Sequence, residues 1–169
     1  PLYSSAASDV YKRQFMYKSF NLAAGSSLTA MVNFEIELDW DYAYVVVSTD
    51  AGASWTSVET NLSTNTDPNG QNFGFGITGD SGGWVALTAD LSAYTGDVLL
   101  GFRYWTDVAA VEPGFMVDEI SVTGYPTDGA EADAGWTFDG FRVTTGTEIA
   151  LRNHYYVGEF RQYRGYDST

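Results

Sequence analysis

The sequence contains no cysteine and a single histidine. Without cysteine the chain has no disulfide, no thiolate nucleophile and no cysteine-ligated zinc or iron–sulfur centre. The zinc motif His-Glu-x-x-His needs two histidines, and no nucleophile elbow accompanies the one that is present. We therefore interpret His154 as a structural residue and expect no zinc site and no catalytic residue in this chain.

Basic residues are also scarce. Eight Lys and Arg stand against 22 Asp and Glu, which gives a formal net charge of −14. Between residues 19 and 141 there are 18 carboxylates and one base, Arg103. An acidic body of this kind repels phosphate backbones and anionic lipid, so functions on nucleic acid or at a membrane surface are excluded. Calcium or a cationic partner fits the charge better.

Long hydrophobic runs are absent as well. No apolar stretch approaches the roughly 20 residues that a membrane-spanning helix needs. The sequence has little lysine and much Thr, Ser, Asn and Gly, a composition that is typical of exported β-proteins. We therefore expect an extracellular, secreted protein.

The residues that are abundant favour strands. The chain is 44% hydrophobic and 16% aromatic, and it carries 18 glycines. Tyr, Trp, Phe, Val and Thr favour strands, and glycine favours the tight turns between them. At 169 residues the chain is long enough for one domain with a substantial core.

Hydrophobic patterns locate individual strands. Apolar and polar residues alternate over Leu28–Leu38, as in a strand that is buried on one face. Tyr42–Thr49 is apolar on both faces, as in a central strand, and the turn at Asp50–Gly52 makes it part of a hairpin. Further strands are predicted at Trp84–Leu87, Val98–Thr106 and Gly114–Val122. This series predicts an all-β protein, an antiparallel two-sheet β-sandwich of jelly-roll type with a short C-terminal β extension.

Three segments are predicted along the chain. Residues 1–14 have no initiator Met and resemble the translated adapter sequence found at the ends of reading frames assembled from environmental DNA. They are interpreted as a non-native or disordered leader, with the natural protein continuing upstream. Residues 15–125 form the sandwich. Residues 126–169 form a connector and a truncated C-terminal β segment that carries half of the bases and ends with Tyr155–Tyr163.

One row of acids allows a catalytic interpretation. Residues two apart on a strand share a face, so Glu35, Glu37 and Asp39 are predicted to lie side by side. Their spacing of roughly 6.5 to 7 Å is close to that of the paired acids of a glycosidase. A jelly-roll glycoside hydrolase is thus an outlying hypothesis, and a solvated outer face is the preferred interpretation of Glu35 and Glu37.

A calcium site is the second interpretation of the acids. Four of them stand at strand edges with no base close by in the sequence: Asp39, Asp41, Asp118 and Glu119. Calcium takes six to eight oxygen ligands and often combines carboxylates from distant segments with backbone carbonyls. We predict that these four residues are calcium ligands.

Aromatic residues supply a third hypothesis. Trp55 follows a turn and is the tryptophan expected to be exposed. An exposed aromatic side chain of this kind can stack against a sugar ring. A carbohydrate-binding module of a secreted enzyme is therefore an alternative function, with Trp55 as the ligand-facing residue.

The run DWDYAYVVVSTDAGASW, from Asp39 to Trp55, resembles the jelly-roll region of the immune inhibitor A family of secreted bacterial zinc metallopeptidases. An ordered series of further segments resembles the same family, and it is far more specific than any single motif. These segments are Asn69–Gly79, Gly82–Val85, Asp90–Tyr94, Phe102–Asp107, Gly114–Ile120 and Tyr155–Asp167.

The resemblance implies a calcium-stabilised, MAM-like β-sandwich that follows the peptidase domain of a larger extracellular enzyme. The partner would be the catalytic domain of the same polypeptide, and a protein or glycan substrate would be a second partner. The expected function is that of a non-catalytic accessory domain that stabilises the protease and assists substrate presentation.

Overall fold

The computed structural model describes residues 2–4, 13–107, 110, 112–132 and 134–144. Over these residues the chain forms eleven strands and no helix. In this part of the chain there is accordingly no helix long and apolar enough to cross a membrane.

The strands form two antiparallel sheets, as the sequence predicts. The first sheet contains β1 (Leu2–Ser4), β3 (Ser27–Ile36), β6 (Gly79–Asp80), β7 (Val85–Asp90), β9 (Gly114–Val122) and β11 (Arg142–Val143). The second contains β2 (Arg13–Leu22), β4 (Tyr42–Ser48), β5 (Thr56–Val58), β8 (Gly96–Trp105) and β10 (Thr137–Asp139). Their orders are β11-β1-β9-β3-β6, with β7 also on β3, and β10-β2-β8-β4-β5. The all-β sandwich is confirmed.

The core lies between the sheets and is built by the period-two faces of the strands. In β8, every second residue from Val98 to Tyr104 points into the core: Val98, Leu100, Phe102 and Tyr104 are all buried. Phe102 contacts Phe115 of the other sheet at a ring-centroid distance of 6.1 Å. The two sheets are thus joined through large apolar side chains, whose burial is the main favourable term in folding.

Strand β4 is buried on both faces, as predicted. All seven residues from Tyr42 to Ser48 are buried, and β4 lies between β8 and β5. The hairpin to β5 is closed by a turn in which Gly52 adopts a φ of 92° and donates its N–H to Ser48 Oγ at 2.8 Å. A positive φ carries little steric cost at glycine, which explains its position here.

Strand β2 is an element that the residue pattern did not predict. It begins at Arg13, so the predicted boundary between residues 14 and 15 falls inside a strand. Met16, Phe20 and Leu22 point into the core, and their spacing of two and four residues is the signal that identifies it. Because β2 pairs with β8 along ten residues, it is a central part of the second sheet.

The segment after residue 125 packs on the sandwich as far as it is described. Strand β10 pairs with β2 and β11 pairs with β1. Trp136 and Phe141 are 5% and 4% exposed, which makes them part of the core. The prediction for His154 and for Tyr155–Tyr163 lies outside the described residues.

Candidate metal centre

A tight turn after β3 takes Glu37 out of the strand that carries Glu35. Strand β3 ends at Ile36, and the backbone N–H groups of Trp40 and Asp41 both donate to Glu37 O, at 3.3 and 3.0 Å. Residues four apart in such a turn lie on the same side, as they do in a helix. Glu37 and Asp41 therefore belong to one turn, and the expectation that Glu37 continues a solvated strand face is wrong.

A third carboxylate joins them from the end of β8. Tyr42 pairs with Trp105 in the β4–β8 register, which places the residues just outside both strands next to each other. The Asp107 N–H donates to Asp41 Oδ1 at 2.8 Å. Glu37, Asp41 and Asp107 each offer a carboxylate oxygen, and these oxygens lie within 4.8 Å of one another.

Asp41 is the most buried member of this acidic triad, the name used below for Glu37, Asp41 and Asp107. It is 0% exposed. Within the described part of the chain, Asp41 Oδ2 and Glu37 Oε2 are buried without a hydrogen-bond partner. A buried carboxylate oxygen that lacks a partner is costly, because water no longer solvates it.

The electrostatics of the acidic triad reflect this cost. Burial raises the pKa of Asp41 to about 6; the Asp107 N–H opposes this effect, and the negative charges of Asp107, Glu37 and Glu112 add to it. An excess of negative charge that raises the pKa of a buried acid is relieved by a nearby cation. The triad is therefore a group of carboxylates that could hold a positive ion.

The donor set fits a hard divalent cation. Calcium binds oxygen at about 2.3 to 2.6 Å, so two ligand oxygens on one ion lie up to about 5 Å apart. The spacing within the acidic triad, at most 4.8 Å, falls inside that limit. All three donors are carboxylate oxygens, which calcium prefers over the nitrogen and sulfur donors typical of zinc. Carbonyl and water oxygens would complete the six to eight ligands of calcium.

Of the four predicted ligands, the structure places only Asp41 in the acidic triad. Asp39 lies in the same turn, with a φ of 65°. Its backbone N–H donates to Thr78 Oγ1 at 3.1 Å and its backbone oxygen accepts from Asn69 Nδ2 at 3.1 Å. These contacts hold the loop before β6 against the turn, so the backbone of Asp39 has a structural role.

Asp118 and Glu119 lie within β9, at a distance from the turn. Asp118 pairs with Met31 in the middle of the first sheet, and its Oδ1 accepts the N–H of Glu119 at 2.7 Å. Glu119 is exposed. The four predicted residues therefore do not converge on one site, and ligand roles for Asp39, Asp118 and Glu119 stay predictions.

The sequence interpretation missed Glu37 and Asp107 as members of the acidic triad. The alternating pattern continues through Glu37 to Leu38 and so predicts a strand there, whereas β3 ends at Ile36. Asp107 lies two residues after the end of β8, and Asp41 directly precedes β4. Two acids at these positions are the available signal. That signal becomes specific only when the pairing of β4 with β8 is known.

The other predicted site residues are also placed. Glu35 is exposed on β3 and Asp39 lies in the turn, so the proposed row of glycosidase acids does not lie along one strand face. Trp55 is half-buried, with its ring 5.4 Å from Phe15 and 5.3 Å from Tyr17. It packs on the outer face of the second sheet.

Comparison with known proteins shows which sequences this chain is similar to. The sequence matches the family described as "Immune inhibitor A-like, MAM domain" over residues 2–146. It is 34% identical over 172 aligned residues to the Pre-pro-metalloprotease PrtV of Vibrio cholerae serotype O1, across 98% of this chain. It is 32% identical over 141 residues to Immune inhibitor A of Bacillus thuringiensis subsp. alesti, across 80% of this chain. The chain spans only 18% and 19% of the lengths of these relatives.

Proposed function

The chain belongs to the immune inhibitor A-like MAM domain family, and from this premise we propose that it is a non-catalytic accessory domain of a secreted zinc metallopeptidase. Its roles would be to stabilise the protease and to help present protein substrates. The catalytic domain of the same polypeptide would be its first partner, and the location would be extracellular.

One observation carries this proposal. The chain aligns along 98% of its length with a protein named as a metalloprotease but covers only 18% of that protein. A unit of this size, with no His-Glu-x-x-His motif in its own sequence, supplies a folded module and leaves the zinc chemistry to another part of the polypeptide. The sandwich fold is consistent with such a module, although fold alone does not define function.

We further propose that the acidic triad binds calcium. The ion would supply positive charge to Asp41 Oδ2 and Glu37 Oε2, two buried oxygens of the acidic triad that have no hydrogen-bond partner within the described residues. The turn after β3 carries two of the carboxylates and the end of β8 carries the third. Since β3 and β8 belong to different sheets, these side chains would fasten the two sheets together at one end of the sandwich.

The test is the thermal stability of the 169-residue chain in calcium and in EDTA. A ligand that binds only the folded state adds about 2.7 kcal/mol when present at 100 times its Kd. At about 2 to 4 °C per kcal/mol for a domain of this size, the melting temperature should rise by roughly 5 to 10 °C. Asp41→Asn should abolish this rise, whereas Glu35→Gln, which changes an exposed acid on β3 outside the acidic triad, should retain it. Equal melting temperatures in calcium and EDTA would show that the calcium proposal is wrong.

A separate experiment, the determination of the natural coding sequence, tests whether the domain is part of a larger metallopeptidase. We expect a His-Glu-x-x-His helix elsewhere in the same reading frame, because that motif supplies two of the zinc ligands and the general base of a metallopeptidase. A complete reading frame without this motif would contradict the accessory role and leave the calcium result unaffected.

A further inference from the structure

The outer face of the second sheet carries an arginine surrounded by aromatic rings. The register pairs Phe15 with Arg103 and Arg103 with Tyr44 across three neighbouring strands. In β8, Arg103 alternates with the core residues Phe102 and Tyr104, so it points away from the core. It is the one base among the residues from 19 to 141.

Three rings enclose the guanidinium. Its Cζ lies 4.7 Å from the ring centroid of Phe73, 5.6 Å from that of Phe15 and 5.7 Å from that of Tyr44. Phe73 is brought there by the long loop before β6, because its backbone N–H donates to Tyr44 Oη at 3.1 Å. We call these three rings and Arg103 the aromatic frame.

The aromatic frame leaves part of the guanidinium without partners. Aromatic rings attract a cation through their faces, but the N–H groups at the edge of a guanidinium still need hydrogen-bond acceptors. Within the described part of the chain, Arg103 Nε is buried without an acceptor. Burial lowers the pKa of Arg103; Tyr44 opposes this effect, and the positive charge of Arg13 adds to it.

An arginine in this state has the properties of a receptor for an anion. Carboxylates match the planar fork of a guanidinium and accept two of its N–H groups together. The side chain remains partly exposed, and Phe73 is 53% exposed at the rim. An incoming group would therefore meet both a cation and an apolar ring.

We propose that the aromatic frame is a docking site for an acidic side chain of a protein segment, with Arg103 pairing to its carboxylate and Phe73 covering its apolar neighbours. Local charge complementarity selects the occupant, since the guanidinium of Arg103 places a positive charge among the three rings. The docking segment would belong to the remainder of the same polypeptide, and on this point the proposal rests on the accessory role.

The composition of the aromatic frame favours a protein segment over a glycan. Sugar hydroxyls require several convergent polar partners, whereas the frame combines one cation with three rings. The hydroxyl of Tyr44 already accepts the Phe73 N–H and donates to Gln71 O at 3.5 Å. An acidic residue flanked by apolar ones fits this surface.

The test is a titration of the full 169-residue chain with two blocked peptides, Ac-Phe-Glu-Phe-NH2 and Ac-Phe-Gln-Phe-NH2. The two differ only in the carboxylate, so the comparison needs no protein variant. We expect the glutamate peptide to bind at least about tenfold more tightly, as charged hydrogen bonds are worth more than neutral ones. The NMR signal of the Arg103 Nε–H group should shift on binding. Equal affinities, no binding of either peptide at millimolar concentration, or tighter binding of an oligogalacturonate would each overturn the proposal.

Two variants control for general charge. Arg103→Met should abolish the preference for the glutamate peptide, whereas Arg13→Met, which removes an exposed arginine over the same Phe15 ring, should retain it. Equal losses in both variants would indicate unspecific attraction and overturn the proposal. Melting temperatures establish that each variant is folded. The titration is made in EDTA and again in calcium, so that a failure of the calcium site is distinguished from a failure of the frame.

Discussion

At the scale of single residues, Asp41 determines the chemistry of the acidic triad. Its carboxylate is 0% exposed, and burial raises its pKa to about 6. Such a residue destabilises the folded chain at neutral pH unless a cation neutralises it. The same burial that is unfavourable in the metal-free chain would hold the ligand oxygen in place for calcium.

This property predicts a pH dependence with a defined sign. The ordinary pKa of Asp41 is 3.8 and its folded value is about 6. Below the ordinary value the carboxyl is protonated in both states and carries no penalty. Between that value and about 6 the unfolded chain loses the proton while the folded chain keeps it, so stability falls as pH rises, and above about 6 the folded chain bears the full cost of the buried charge. In EDTA, Asp41→Asn should therefore stabilise the chain at pH 7 and have little effect near pH 4.

Urea unfolding of both proteins at several pH values measures this effect. In calcium the sign should reverse at pH 7, because the variant lacks a ligand. Calcium affinity should also fall by up to about tenfold per pH unit below the folded pKa, since the ion displaces one proton. A stability difference between the two proteins that does not change with pH would contradict the prediction.

At the scale of elements, the long loop between β5 and β6 has a clear role in the structure. Thr64 and Gly76 form a bridge within it, and Ile77 forms another with Ala43 at the start of β4. Asp67 Oδ1 accepts the N–H groups of Gln71 and Asn72 at 2.7 and 2.9 Å. These bonds hold the loop over the outer face of the second sheet, which explains why β4 is buried on both faces.

Gly101 is the position in β8 where a side chain cannot be accommodated. A Cβ added there would lie 2.1 Å from Met16 O and 2.7 Å from Tyr17 Cβ. Both atoms belong to β2, so an added methyl group would force β2 and β8 apart. We expect Gly101→Ala to cost at least about 2 kcal/mol in the free energy of unfolding, at the upper part of the range for overpacking.

The matched control is Gly129→Ala, where the nearest atom to an added Cβ is Glu119 Oε1 at 4.0 Å. Its effect should stay within about 0.5 kcal/mol. Chemical denaturation measures both variants. A cost for Gly101→Ala no larger than that of the control would mean that β2 does not pack against Gly101 as described.

At the scale of the whole molecule, stability depends on large side chains that connect the sheets. Phe102 is 0% exposed and contacts Phe115 at 6.1 Å and Trp136 at 6.4 Å. Trp136 comes from the segment after the sandwich strands. One residue therefore links the second sheet, the first sheet and the C-terminal extension.

Phe102→Ala should lower the free energy of unfolding by about 3 to 5 kcal/mol, the usual cost of deleting a buried ring. That is a large share of the roughly 5 to 15 kcal/mol that stabilises a typical domain. Trp84→Ala is the control, because Trp84 is 42% exposed, and it should cost under about 1 kcal/mol. Urea unfolding measures both variants. Similar losses of unfolding free energy would contradict the placement of Phe102 in the core between the two sheets.

The sequence by itself determined the fold class and most of the strands. Burial patterns with a period of two are local, so Leu28–Leu38, Val98–Thr106 and Gly114–Val122 predict β3, β8 and β9 closely. It also determined that acids dominate the surface and that Asp41 is a candidate ligand. Strand β2 was not predicted, because residues 1–14 resemble a non-native leader. The predicted start of the sandwich, at residue 15, therefore falls inside the strand.

Only the tertiary structure decided which acids meet. Asp41 and Asp107 are 66 residues apart, and their contact depends on the pairing of β4 with β8, a long-range choice that no local pattern contains. The same pairing places Arg103 between Phe15 and Tyr44. Glu37 joined the acidic triad because hydrogen bonds to its backbone oxygen end the strand, whereas periodicity alone would have continued it. Local alternation thus encodes the elements, and the register between distant strands determines the sites.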